Sequence, residues 1–458
     1  MGGRVGERAG TVLKFALSRI FKQTLKGAMR FELKEGRAQA KAPPVPAGEI
    51  IVHRTDGEAL PMRGRRTRPE PVDARLARVL GALVPPGAAP VSAIGFDAQL
   101  TAMAEASKAA LAADLTCYGA WCADDGCSPF PADPEALVRY LRHLDTNGSS
   151  PATLARRLAS LATAHRLMGL ADHAELPTRH AMVRAALKGV RRRKGAAPRQ
   201  AAPLRFGAAL DPHAGKGVTL SAMLTACGTD LQGLRDAALL SLGYDAGLRV
   251  SELVAVEERH IDPQPDGTAT LFIPSSKTDQ EGQGAWAWLS ADTMRRVGLW
   301  LQAGGITSGP MFRRVGVDRR RARAEAAPLA YAAIPGHTRQ WREKLAGQPA
   351  QSARITYTVG TTALSRQGVC LIYRRVALAA WDAGLVDLPA SDIAEAVRGL
   401  STHSLRVGLT QDLFAAGEDG VGIAQALRWT SPATALRYGR KLAVRSNVAA
   451  RVLSRVRG

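Results

Sequence analysis

A chain of 458 residues, 46% hydrophobic and 22% charged, is too long for one ordinary core and points to a soluble protein of more than one domain. Nothing approaches the run of about 18 apolar residues that a membrane helix needs, and the nearest N-terminal candidate, Val12 to Phe21, is interrupted by Lys14 and Arg19, so neither a membrane span nor a secretory signal is expected. The 62 Lys plus Arg against 40 Asp plus Glu leave a net charge of +22, which suits a polyanionic partner because each neutralised phosphate releases counterions. Nucleic acid leads, although an anionic membrane surface or GC-rich coding bias gives a similar balance. Five cysteines, an odd number, indicate a reducing, cytoplasmic setting without disulfides.

Residues 1–92 read as a basic, partly flexible extension, with Pro/Gly-rich stretches at 42–48 and 85–90. Val12, Phe15, Ile20 and Phe21 allow one short amphipathic helix inside it. From 93 to 190 the pattern is helical. Leu111, Leu115, Tyr118 and Cys122 share a face, a second helix fits Pro134 to Leu144, and Ser150-Pro151 caps a third that buries Leu154, Leu158, Leu161, His165 and Met168. Arg156 and Arg157 fall off that face and are candidate DNA contacts. Cys117, Cys122 and Cys127 recur every five residues, which is not the short spacing of zinc sites, so packing or surface thiols are expected and no metal site.

Lys188 and the run Arg191-Arg192-Arg193-Lys194 open a basic linker, 191–203, read either as a solvated charge run or as a crossing over a phosphate backbone. A second domain, 204–443, is expected to hold helices at Ser221–Ala226 and Leu231–Ala246. Strands at Thr270–Pro274 and Trp286–Leu289 would form a hairpin around the loop 275–284. Residues 313–360 show no clear period and read as an insertion. Helices resume from Ser365 to Ala380, near Ser404, at Gly422–Leu427, and from Pro432 through Tyr438.

Three segments carry reactive groups. In Gly247-Leu248-Arg249-Val250-Ser251-Glu252-Leu253, Gly247 ends one helix and Ser251 is placed to cap the next, which puts the planar fork of Arg249 on a tight turn, able to meet two phosphate oxygens. Glu252 is close enough to orient a neighbouring cation, or serves only as a helix N-terminal acid. Lys277 lies in the hairpin loop, where a mobile ammonium could protonate a leaving oxygen or simply be solvated. His403 and Arg406, one turn apart at a helix start, can face one anion, where the helix dipole adds to their charge. Trp429 and Tyr438 follow. Each feature alone fits an ordinary surface.

Together, and in this order, these boxes resemble those of the tyrosine recombinase (phage integrase) family. The resemblance implies a mainly α, multidomain fold, in which an N-terminal helical, SAM-like core-binding domain joins a mixed α+β catalytic domain with a small β-hairpin sheet. It implies that Arg249 and Arg406 clamp the scissile phosphate, that Lys277 is the general acid, that His403 assists proton transfer with Glu252 nearby, and that Tyr438 is the nucleophile. Trp429 stands where many members have histidine; an indole N–H donates but does not titrate, which puts more acid–base work on His403 and Lys277. Neither a metal nor another cofactor is implied. The expected partners are double-stranded DNA and further copies of the chain, as a tetramer on paired sites. The segment 444–458, with Val444, Val448, Val452 and Val456 every fourth position, is then a tail helix that docks on a neighbouring subunit or packs in cis. The rival readings are type IB topoisomerase-like relaxation and a DNA-binding protein without catalysis.

Overall fold

A computed structural model describes residues 49–54, 70–84, 92–170, 176–195, 200–211, 214, 217–275, 282–327 and 349–457 except 446–447. The helix expected within Val12–Phe21 and the loop position Lys277 lie outside the described residues. By backbone proximity the chain forms two compact units, Met1–Ile51 with Val317–Thr356, and Val52–Gly316 with Tyr357–Gly458. In the first, Arg323 and Gln351 exchange backbone hydrogen bonds of 2.8 Å each. The second holds every element that positions the candidate site.

Its helical part comprises α1 (Val72–Leu83), α2 (Ala93–Thr101), α3 (Glu105–Asp125), α4 (Pro134–Thr146), α5 (Pro151–Leu167) and α6 (Ala181–Lys194). One apolar core joins them, running from Leu76, Val79 and Leu80 of α1 through Leu115, Tyr118, Tyr140 and Leu154 to Val190 of α6. The helical core therefore begins at α1, about twenty residues before the expected boundary at 93, because α1 buries its apolar stripe against α3. Asp133 and Ser150 cap α4 and α5 by accepting from Ala136 N–H at 2.9 Å and Thr153 N–H at 3.2 Å, each followed by a first-turn proline. Cys122 is a buried core residue and Cys117 an exposed one. The run Arg191–Lys194 corrects a second expectation. It is the last turn of α6, where cations complement the helix dipole, and not an extended linker.

The C-terminal part contains α7 (Leu220–Ala226), α8 (Leu231–Asp245), α9 (Val250–Val254), β2 (Ile261–Pro263), β3 (Ala269–Ile273), β4 (Ala285–Leu289) and α10 (Ala291–Gly304), with β1 at Glu49–Arg54 earlier in the chain. Then come β5 (Arg313–Arg320), β6 (Arg354–Ala363), α11 (Arg366–Asp382), α12 (Ala390–Gly399), α13 (Ser404–Ala415), α14 (Gly420–Ala426), α15 (Pro432–Arg445) and α16 (Val448–Arg457). Helix α8 is buried on nearly all sides, packing against α10, α13 and β4. Strands β2, β3 and β4 form an antiparallel sheet, with Ile261 opposite Leu271 and Ile273 opposite Ala285; Ala269, Leu271 and Ile273 face the core on alternate positions. The expected insertion at 313–360 is bounded by two strands, β5, whose alternation is obscured by arginines, and β6.

Two carboxylates, the partly buried Asp245 and the buried Asp412, hold the elements that frame the site. Asp245, at the end of α8, accepts from Ser290 N–H at 2.9 Å and from the Ser290 and Thr293 hydroxyls at 2.6 Å each, pinning the β4–α10 corner to the α8 terminus. Asp412 of α13 accepts from Arg205 Nε and Phe206 N–H at 2.7 Å each and from the Tyr244 hydroxyl at 2.5 Å, tying α13 to α8 and to residues 205–206. Burial, then the facing carboxylate, pushes the Tyr244 phenol far above its usual range, so it stays a donor. Among the described residues, no helix is long and apolar enough to cross a membrane.

Candidate active site

The corner between α8 and α9 presents the first cation. Gly247 has φ +52°, and a Cβ there would meet Leu427 at 2.3 Å, so the turn needs glycine on both backbone and packing grounds. Arg249 is the N-cap of α9, two positions earlier than the Ser251 cap expected from sequence. Glu252 Oε2 accepts from Arg249 N–H at 2.9 Å, while Oε1 accepts from Arg249 Nη1 at 2.8 Å. The buried Glu252 carboxylate thus fixes both the backbone and the side chain of Arg249.

Helix α13 presents the second set. His403 is its N-cap and Arg406 lies in its first turn. The Arg406 side chain is 1% exposed and donates through Nη1 to Gly247 O at 2.6 Å and through Nη2 to Leu427 O; its buried Nε has no partner among the described residues. Burial, then repulsion from Arg249 and Arg428, pulls the Arg406 guanidinium down to about 9, so it is still a cation at neutral pH. Its Cζ lies 5.1 Å from the centroid of the Trp429 ring.

Helices α14 and α15 close the site. Phe414, Ile423, Leu427 and Ala435 form a small core between α13, α14 and α15. Gly439 lets α15 approach closely, because a Cβ there would lie 2.1 Å from the Phe414 ring. The approach brings Tyr438 to the start of α13. His403 Nε2 and the Tyr438 hydroxyl are 3.0 Å apart, and the Trp429 ring stacks on Tyr438 with centroids 5.3 Å apart and planes at 11°. Burial first, then Arg406 and Arg249, holds His403 below its ordinary value of 6.5. A neutral imidazole beside a phenol can accept its proton.

Arg249, Glu252, His403, Arg406, Trp429 and Tyr438 are therefore interlinked, whereas Lys277 is outside the described residues. A cleft of about 280 Å³ lined by Glu252, His260, Pro274 and Ser275 ends where the Lys277 loop begins. The sequence reading missed Arg428, whose Nη2 lies 3.7 Å from Glu252 Oε2; the helix-end glycine that flags such a turn is replaced by arginine, so local pattern gave no signal.

The candidate DNA contacts divide. Arg156 ion-pairs with the buried Asp114, which also accepts from Ser160 Oγ at 2.7 Å, and Arg157 donates to Tyr140 Oη at 2.8 Å, so both cross-link α3, α4 and α5. Arg193 and Lys194 each meet Asp145 at 2.6 Å, and Lys194 first, then Arg193, holds that carboxyl below its usual range. Lys188, Arg191 and Arg192 are exposed and have no ion-pair partner among the described residues.

No family model matches the chain. It is 30% identical over 211 residues to an integrase/recombinase XerD homolog of Selenomonas ruminantium, across 44% of this chain and 58% of that protein. To the recombinase Cre of Escherichia phage P1 it is 24% identical over 339 residues, 73% of this chain and 84% of Cre. The chain thus spans 58% of the length of the first of these relatives. Similar solved structures include the Tn1549 transposon integrase with transposon right end DNA, at 11% identity and TM-score 0.46 over 79% of this chain and 98% of that one. Another is the XerH site-specific recombinase bound to palindromic difH substrate, at 14% identity and TM-score 0.44 over 83% and 96%. The chain is thus similar in sequence to two proteins named as recombinases, and its own arginine, histidine and tryptophan side chains gather around Tyr438.

Proposed function

We propose that the protein is a site-specific DNA recombinase that cuts and rejoins double-stranded DNA through Tyr438. The observation that carries this reading is the 3.0 Å contact between His403 Nε2 and the Tyr438 hydroxyl, beside a buried cation. His403 takes the phenolic proton as Tyr438 Oη attacks the phosphorus; the bond to the 5′ oxygen breaks and a 3′-phosphotyrosyl ester forms. Arg249, Arg406 and the Trp429 indole N–H stabilise the charge on the nonbridging oxygens, and Lys277 protonates the leaving 5′ oxygen. Attack by the 5′ hydroxyl of a partner duplex reverses the step and breaks the bond to Tyr438. No metal or nucleotide enters this sequence of steps. Lys188, Arg191 and Arg192 supply phosphate contacts, and exchange between two duplexes calls for several copies of the chain, as a tetramer on paired sites.

The test incubates the protein in EDTA with nicked suicide duplexes from DNA flanking its gene, then adds a duplex with a free 5′ hydroxyl. A covalent adduct that resolves into a strand joined to the second duplex is expected. Relaxation of supercoiled DNA without joining would replace this reading by a topoisomerase one, and binding without any adduct would make the chain a non-catalytic DNA binder.

The pH dependence follows from His403. Its lowered affinity for a proton keeps the base form present below its ordinary value of 6.5, and activity is lost as pH falls through that lowered value. At subsaturating DNA, which reports the free enzyme, the acid limb of the cleavage rate is expected to have its midpoint below 6.5. A midpoint above it would remove His403 as the base.

A further inference from the structure

Among the described residues Arg428 is the one non-glycine with positive φ, at 56°. It follows the C-cap of α14; its N–H donates to Gln425 O at 3.1 Å, and Trp429 N–H donates to Ala424 O at 2.8 Å. These paired bonds define a helix end whose left-handed residue is ordinarily glycine, because any Cβ is strained there. An arginine chosen only to complement the helix dipole would be solvated. This one is not. Its side chain is 12% exposed, and its Nη1 and Nη2 are buried without a hydrogen-bond partner among the described residues.

The guanidinium faces Glu252. Oε1 of that carboxylate is taken by Arg249 Nη1, while Arg428 Nη2 stands 3.7 Å from Oε2. Arg249 and Arg428 therefore meet one buried carboxylate from two sides, and the buried Arg406 guanidinium feels all three groups, so three cations share a single anion. Burial pulls the Arg428 guanidinium down, and Glu252 opposes that pull.

We propose that Arg428 is a positioning residue: it holds Glu252 from a second side, so that Arg249 can turn its fork from the carboxylate to the scissile phosphate without stranding a buried charge. A carboxylate with one partner binds that partner too tightly to share it; a second cation in reserve lowers the cost of release. The inference rests on the recombinase reading and adds to it why a strained arginine is held where glycine fits.

The experiment compares full-length wild type, Arg428→Gly, Arg428→Lys, Glu252→Gln and the double variant Arg428→Gly/Glu252→Gln. Melting midpoint, DNA affinity at one fixed salt concentration and single-turnover covalent cleavage are measured for each. Arg428→Gly relieves the backbone strain and is expected to melt about 2 °C higher. Its DNA affinity should stay within about twofold of wild type while cleavage slows about 10- to 100-fold. Arg428→Lys, which keeps a charge, should recover most of the rate. On the Glu252→Gln background the glycine substitution should change cleavage by less than about twofold, because its route of action is already gone.

Wild-type cleavage by Arg428→Gly, or an equal further loss on the Glu252→Gln background, would overturn the proposal. So would a lower melting midpoint with a proportionate loss of affinity, which would make Arg428 a structural residue. An adduct in the wild type keeps these failures distinct from failure of the recombinase reading, which its absence would signal.

Discussion

Tyr438→Phe is expected to fold, to bind DNA as the wild type does, and to form no covalent adduct. The ring that stacks on Trp429 is retained, so the packing between α13 and α15 survives. The lost hydroxyl leaves His403 Nε2 without its 3.0 Å partner, a cost of about 0.5–1.5 kcal/mol. Chemistry suffers far more, since no other atom replaces the attacking oxygen, and a fall in cleavage of at least about 10⁴-fold is expected. The check is single-turnover capture on a nicked duplex beside a binding isotherm on the same DNA. Residual capture within about 100-fold of wild type would mean that another group attacks.

The second large effect falls on stability. Asp412→Ala removes the acceptor shared by Arg205 Nε, Phe206 N–H and the Tyr244 hydroxyl, and leaves all three donors near a carboxylate-sized void. Arg205 retains Asp211 at 2.8 Å, but its Nε has nothing to replace a partner on α13. Breaking a buried ion pair from one side costs about 3–5 kcal/mol, which should appear as a lower midpoint in urea denaturation. Tyr244→Phe removes one donor only and should cost about 1 kcal/mol. Because Asp412 ties the helix that carries His403 and Arg406 to the helix that leads into Arg249, cleavage should fall in both variants in step with the folded fraction. A loss below about 1 kcal/mol for Asp412→Ala would show that this network does not hold the two helices together.

The site was legible where local chemistry and backbone agree. Gly247 stops α8 and Arg249 begins α9 in a stretch of seven residues, and His403 and Arg406 sit one helical turn apart at the start of α13. Nothing in those segments depends on distant partners. Arg156, Arg157, Arg193 and Lys194 were a different case: they looked free for DNA, yet their partners Asp114, Tyr140 and Asp145 lie 17 to 49 positions away. A charged residue's availability is a tertiary property. Helix α1 was hidden by the basic, Pro-rich chain around it, although Leu76, Val79 and Leu80 carry a helical stripe. In β6 the alternation of Ile355, Tyr357 and Val359 was readable but lay next to a Pro/Gly- and Arg-rich stretch. Arg428 was beyond reach for another reason: its φ is set by the helix end that closes around it, and sequence shows only an ordinary arginine.

The most direct test of the account is to map the residue that carries the DNA. Wild-type protein is trapped on a nicked duplex in EDTA, the DNA is trimmed by nuclease, and the peptides are sequenced by mass spectrometry. The account predicts a single nucleotide-bearing peptide containing Tyr438, linked through the phenolic oxygen to a 3′ phosphate. A nucleotide on any other residue, or a 5′ linkage, would contradict it.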